Sequence, residues 1–142
     1  MNRKTNSLEL RKNSARYQVI VIDDEENIRS AVKLILEDEG FQVIEAEDGV
    51  SGLATIMRTE TPSIVLLDIL MPRMTGNTVI RELSHNPALL QKHAYIVITA
   101  TLRRIEPDVI KLMKQFNIHA MQKPLEVINL LSMIHKCIEQ LP

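Results

Sequence analysis

Four short apolar runs in this 142-residue chain each lead to a polar side chain able to do chemistry. Val19-Ile20-Val21-Ile22 precedes Asp23-Asp24, Ile64-Val65-Leu66-Leu67 precedes Asp68, Tyr95-Ile96-Val97-Ile98 precedes Thr99-Ala100, and Ile118-His119-Ala120-Met121 comes just before Lys123-Pro124. Carboxylates gathered in one pocket repel: two unit charges 4 Å apart cost roughly 4 kcal/mol at an effective dielectric of 20. Such a set favours a divalent cation or partial protonation. All-oxygen ligands select a hard ion such as Mg²⁺, which keeps several waters and commonly bridges to phosphate oxygens. Lys123 would add a compact positive charge and Thr99 a hydroxyl donor. A metal, a lysine and a hydroxyl around one carboxylate describe phosphoryl transfer, with Asp68 as the nucleophile that becomes an acyl phosphate.

The elements that must position these groups are legible as alternating patterns. Apolar runs bounded by polar residues and separated by helical spacings read as buried parallel strands. Ile28, Ala31, Val32 and Ile35 mark a first helix that Gly40 stops, and Phe41 to Ala46 reads as the second strand. Val50, Leu53, Ala54 and Met57 give a second helix, with Thr61-Pro62 before the next strand. Val79, Ile80 and Leu83 mark a third helix. Pro107 opens a fourth, with Val109, Leu112, Met113 and Phe116 on its apolar face and Asn117 as its cap. Val127, Leu130, Leu131, Ile134 and Ile138 mark the last. Five βα units predict an α/β fold, a doubly wound five-stranded parallel sheet of flavodoxin-like order 2-1-3-4-5, whose ligand site lies outside the carboxyl ends of the strands.

Read together, these residues resemble the receiver domain of two-component response regulators. The resemblance runs from about Tyr17 to Leu141 and rests on Asp23-Asp24, Asp68 with Met71-Pro72-Arg73-Met74-Thr75-Gly76, Thr99-Ala100 and Lys123-Pro124. It implies that Asp68 is the phospho-acceptor and that Asp24, Asp68 and the backbone carbonyl of Leu70 ligate Mg²⁺, with Asp23 reaching the metal through water. It also implies that Thr99 and Lys123 bind the phosphoryl oxygens and that the Lys123-Pro124 peptide is cis. The donor would be a histidine kinase or histidine phosphotransfer protein. Output would pass to a downstream protein through the face spanning residues 106–140, and a homodimer is allowed. No enzyme activity is expected beyond self-phosphorylation and autodephosphorylation.

Composition agrees with one compact domain over residues 17–142. Residues 1–16 carry five basic groups against Glu9, a charge of +4, and read as a mobile arm, leaving -5 on the remainder. An acidic domain argues against nucleic acid as the main ligand. A single cysteine, Cys137, excludes a disulfide framework, and no run approaches the ~18 apolar residues of a membrane span. A soluble cytoplasmic protein is expected.

Each residue also has a plain structural reading. Asp23 to Glu26 would suit a helix N-terminus, Thr99 a strand end and Lys123 a solvated turn. The histidines, His85, His93, His119 and His135, lack metal-ligand spacing and read as surface or interface groups. Met113, Met121 and Met133 read as packing residues. Two departures from the receiver pattern stand out. Ala120 occupies the place, three before the lysine, where many receivers carry a switching aromatic, so coupling to Thr99 is absent or rebuilt with His119 or Tyr95. Leu70 and Thr101 flank the acceptor where polar groups could orient an attacking water. Among other functions, an aspartate-nucleophile phosphatase would need a second aspartate where Leu70 stands, and Asp23-Asp24-Glu25-Glu26 would repel a flavin phosphate. The serious alternative is the N-terminal regulatory domain of a longer response regulator.

Overall fold

The computed structural model describes residues 17–142; the basic arm expected over 1–16 lies outside the described residues. Five strands, β1 (Gln18–Ile22), β2 (Gln42–Ala46), β3 (Ser63–Asp68), β4 (Ala94–Thr99) and β5 (His119–Gln122), alternate with helices α1 (Glu26–Asp38), α2 (Gly49–Arg58), α3 (Gly76–Ser84), α4 (Pro87–Lys92), α5 (Pro107–Gln115) and α6 (Val127–Gln140). A single turn of 3₁₀-helix covers Leu102–Arg104. All pairings are parallel and the sheet order is β2-β1-β3-β4-β5, the expected doubly wound arrangement.

Alternation along the strands divides the core in two. Val19, Val21, Ile64, Leu66, Ile96 and Ile98 pack against Val32 and Leu36 of α1 and Leu130, Ile134 and Cys137 of α6. On the other face, Ile20, Ile22, Val65, Leu67, Tyr95 and Val97 meet α2 through α5. Each fully buried aliphatic side chain contributes about 1.5–3 kcal/mol of transfer free energy, so β3 and β4, buried along their whole length, anchor the sheet. The edge strands are only half covered.

Local signals set the helix ends. Gly40 takes φ 97 after α1, a left-handed conformation suited to glycine. Asp48 caps α2 by accepting from Ser51 N–H at 2.8 Å, and Thr75 accepts from Thr78 N–H at 3.3 Å at the start of α3. Pro107 opens α5, and Asn117, at φ 56, follows its end. The second strand starts at Gln42 because Phe41, 3% exposed, turns under α1. Short α4 was not expected: six residues are too few for helical periodicity to register. The Lys123–Pro124 peptide is cis, as the resemblance implied.

Candidate phosphoryl-transfer site

The parallel register brings the strand ends to one edge of the sheet. Ile22 pairs with Leu67, Asp68 with Ile98 and Thr99 with Gln122. Backbone bonds extend these ladders into the loops: Asp23 N–H donates to Ala46, Ile69 N–H to Ile98, and Lys123 N–H to Thr99, at 3.1, 3.2 and 2.9 Å. Each functional side chain therefore leaves the sheet from a backbone held by its neighbours. Gly76 closes the loop after β3, donating to Ile69 at 2.9 Å, and a Cβ there would collide with the Asp68 carbonyl oxygen.

Asp23, Asp24 and Asp68 each offer a carboxylate oxygen, and these oxygens lie within 4.8 Å of one another. Asp23 and Asp68 are buried, Asp24 exposed. Lys123 Nζ donates to Asp23 Oδ2 at 3.0 Å and sits 3.6 Å from Asp68 Oδ1. It also reaches Glu25 Oε1 at 3.4 Å. Asp23 is further fixed by accepting from Glu25 N–H at 2.9 Å, while Arg29 donates to its carbonyl at 2.8 Å. The acidic run thus serves the site: Glu25 is the cap residue of α1 but makes no side-chain capping bond.

The electrostatics follow from this crowding. Burial, then the Asp23 charge, pushes the Asp68 carboxyl up from 3.8 to about 6, with Asp24 adding and with Lys123 and the Leu70 N–H opposing. Lys123 is held above its ordinary value although burial opposes its charge, because the Asp23 hydrogen bond and the Asp68 and Glu25 charges outweigh it. Two buried carboxylates and an exposed one, against one lysine, leave excess negative charge. This all-oxygen donor set fits a hard divalent cation.

Thr99 stands at the same edge, fully buried, with its hydroxyl turned into its own loop: it accepts from Thr101 N–H at 3.2 Å and donates to the Thr101 carbonyl at 3.1 Å. Leu70 follows the acceptor strand with 46% exposure. Neither proposed substitute for the switching aromatic contacts Thr99. Tyr95 sits at the start of β4, about 13 Å of strand away, with its hydroxyl on the Leu89 carbonyl. His119 pairs with Gln140 at 3.0 Å. The surface reading of the histidines fails at His93, which is 3% exposed and accepts from Ser63 N–H at 3.0 Å. Two site features had no clear sequence signal, the Glu25–Lys123 pair and the Arg73–Asp48 pair at 2.8 Å, which ties the loop after β3 to α2.

The sequence profile of the response regulator receiver domain matches residues 19–135, and the chain belongs to that family. It is a receiver of the kind used in phosphorylation-dependent two-component signalling. Among solved structures it is similar to a CheY-like receiver domain protein from Methanospirillum hungatei, with 31% identity, a TM-score of 0.74, and 87% of this chain and 95% of that one covered. A receiver domain from Clostridium thermocellum aligns at 26% identity with a TM-score of 0.74 over 87% of this chain and 95% of that one. The virulence-factor transcription regulator BvgA of Bordetella pertussis is 43% identical over 67 residues, 46% of this chain and 32% of BvgA. The transcriptional regulatory protein CpxR of Klebsiella pneumoniae is 33% identical over 91 residues, 64% of this chain and 36% of CpxR. The chain spans about a third of the length of these regulators. Among the described residues no helix is long and apolar enough to cross a membrane.

Proposed function

We propose that Asp68 is the phospho-acceptor of this receiver and that its phosphorylation switches the binding of a partner protein. The observation that carries this reading is a buried carboxylate at the end of the central strand, 3.6 Å from Lys123 and beside two further carboxylates. An Asp68 carboxylate oxygen attacks phosphorus in a phosphohistidine donor. The P–N bond breaks as the P–O bond forms, and the donor imidazole leaves carrying the bond's electron pair. Lys123, already oriented by Asp23, meets one phosphoryl oxygen. Thr99 meets another after its hydroxyl rotates away from Thr101. Mg²⁺ held by Asp24, Asp68 and the Leu70 carbonyl, with Asp23 behind water, would offset charge on the transferring group. Fixed charges of this kind act by positioning and by transition-state stabilisation.

On this reading the protein catalyses only its own phosphorylation and dephosphorylation, takes its phosphoryl group from a histidine kinase or histidine phosphotransfer protein, and works in the cytoplasm. The free, buried Cys137 is compatible with that compartment. A second reading, a regulatory domain of a longer protein, is favoured by the relatives, transcription regulators of which this chain matches about a third. Both readings share the chemistry at Asp68. Incubation with acetyl phosphate and Mg²⁺, followed by mapping of the acyl phosphate, should label Asp68 alone. Equal labelling of Asp68→Asn would remove the mechanism.

A further inference from the structure

On the face of the sheet away from α2 through α5, an apolar groove of about 480 Å³ separates α1 from α6. Ile28, Ala31 and Ile35 of α1 line one side, and Leu125 and Val127 line the other. Val32 and Leu130 beneath them are buried. Ala31 is exposed, Val127 is 46% exposed, and Leu34, one turn from Ala31, is 70% exposed. The groove ends at Ala100 and Lys123.

Residues 1–16 join the sheet at the foot of this groove. Tyr17 is half-buried and packs on the core beneath α1 and α6, so the chain enters on their side of the sheet. Gln18 pairs with Gln42, and α1 ends at Asp38 shortly before it, so the end of α1 stands at the edge where the N-terminal segment arrives. That helix end is charged against its own dipole. Glu37, Asp38 and Glu39 gather there with no base in the last turn, and none of them forms an ion pair with a described residue. The N-terminal segment carries Arg3, Lys4, Arg11, Lys12 and Arg16 against Glu9, a charge of +4. Within it Leu8 and Leu10 stand two apart, the spacing that puts side chains on one side of an extended chain. At about 3.5 Å per extended residue, the stretch from Tyr17 to Leu10 spans about 24 Å, whereas the groove from Ile35 to Ile28 is only about 10 Å of helix. Both leucines can reach it.

We propose that the N-terminal segment of this chain docks in the groove, with Leu8 and Leu10 against Ile28, Ala31 and Val127 and its basic residues around Glu37, Asp38 and Glu39. Charge and tether select this occupant. A nucleic-acid backbone would be repelled by the acids. A second copy set symmetrically against the groove would bring the acids of one α1, Glu26 at its start and Glu37 to Glu39 at its end, against those of the other. A short tether supplies an effective concentration of about a millimolar, so even a contact of about 0.1 mM keeps the segment seated most of the time. Because the groove ends at Lys123, the seated segment covers ground beside the phosphoryl-transfer groups.

The test is paramagnetic broadening in the full chain, with a nitroxide on Asn6→Cys. Cys137 is buried, so the label goes to the new thiol. The amide signals of Ile28, Ala31, Ile35 and Val127 should lose the most intensity, well beyond those of α2 and α5 on the opposite face. Leu8→Asp with Leu10→Asp should weaken the contact about tenfold or more and return about half of the lost intensity or more. Glu37→Lys with Asp38→Lys, which reverses the acidic end, should do the same. Leu8 and Leu10 precede the sheet, and Glu37 and Asp38 are exposed, so both variants keep the core. Equal broadening on the two faces, broadening unchanged in either variant, or broadening carried between molecules in a mixture of spin-labelled and isotope-labelled chains would each overturn the docking.

Discussion

Both poles of the sheet bury a titratable side chain, and the two are perturbed in opposite senses. At the carboxyl edge Asp68 is pushed up to about 6 by burial and by Asp23. At the amino edge His93 is pulled down from 6.5 to about 4, first by burial and then by Lys92. The surroundings separate them. Asp68 has two carboxylates, buried Asp23 and exposed Asp24, and the Lys123 ammonium converging on it. His93 has Ser63 N–H on Nδ1, while its buried Nε2 has no hydrogen-bond partner among the described residues. Burial alone perturbs a group; convergent charge with access to solvent makes it chemically useful.

The largest effects should divide along that line. Asp24→Ala, which removes the exposed carboxylate, should abolish Mg²⁺ binding and slow acetyl phosphate labelling by about a hundredfold. His93→Gln should leave the labelling rate at neutral pH within about twofold of the parent. If His93→Gln slowed labelling as much as Asp24→Ala, the contrast between the poles would collapse.

Stability against pH sharpens it. The unfolded chain protonates His93 near 6.5 and the folded chain only near 4, so stability is lost as pH falls between them, by at most about 1.4 kcal/mol per pH unit. Asp68 works the other way: the folded state takes up its proton near 6 and the unfolded state near 3.8, so this group contributes stability as pH falls through that window. Without added metal, His93→Gln should flatten the decline of melting temperature between pH 6.5 and 4, and Asp68→Asn should steepen it. Parallel curves for both variants would mean that neither group titrates as its surroundings dictate.

A smaller effect concerns how two loops at the carboxyl edge are joined. Buried Asn77 on α3 donates to the Arg104 carbonyl at 2.8 Å and accepts from Glu106 N–H at 3.0 Å, tying the segment after Asp68 to the start of α5. Asn77→Ala strands both backbone groups and should cost about 1–3 kcal/mol in chemical denaturation. An unchanged midpoint would show that water replaces the carboxamide. Least in size is the persistence of the phosphorylated state. Leu70 cannot hydrogen-bond a water approaching the phosphoryl group, so Leu70→Asn should shorten the lifetime about threefold, read as loss of phosphoprotein after donor removal. A lifetime equal to or longer than the parent's would assign Leu70 to packing or partner contact.

What the sequence determined by itself was local and periodic. Apolar runs of four, helical spacings and residues such as Gly40, Pro107 and Asn117 are each read within a few neighbours, and they suffice for the five βα units and for the order in which Asp23, Asp24, Asp68, Thr99 and Lys123 meet the strand ends. Short α4 escaped because one helical turn and a half has no period to detect. The remainder was decided across the sheet. Lys123 meets Asp23 over 100 residues of sequence, and only parallel register makes them neighbours. The inward turn of the Thr99 hydroxyl, the burial of His93 and the groove between α1 and α6 all depend on which atoms pack against a side chain. That property belongs to elements distant in the chain and close in space, where desolvation and hydrogen-bond geometry are set.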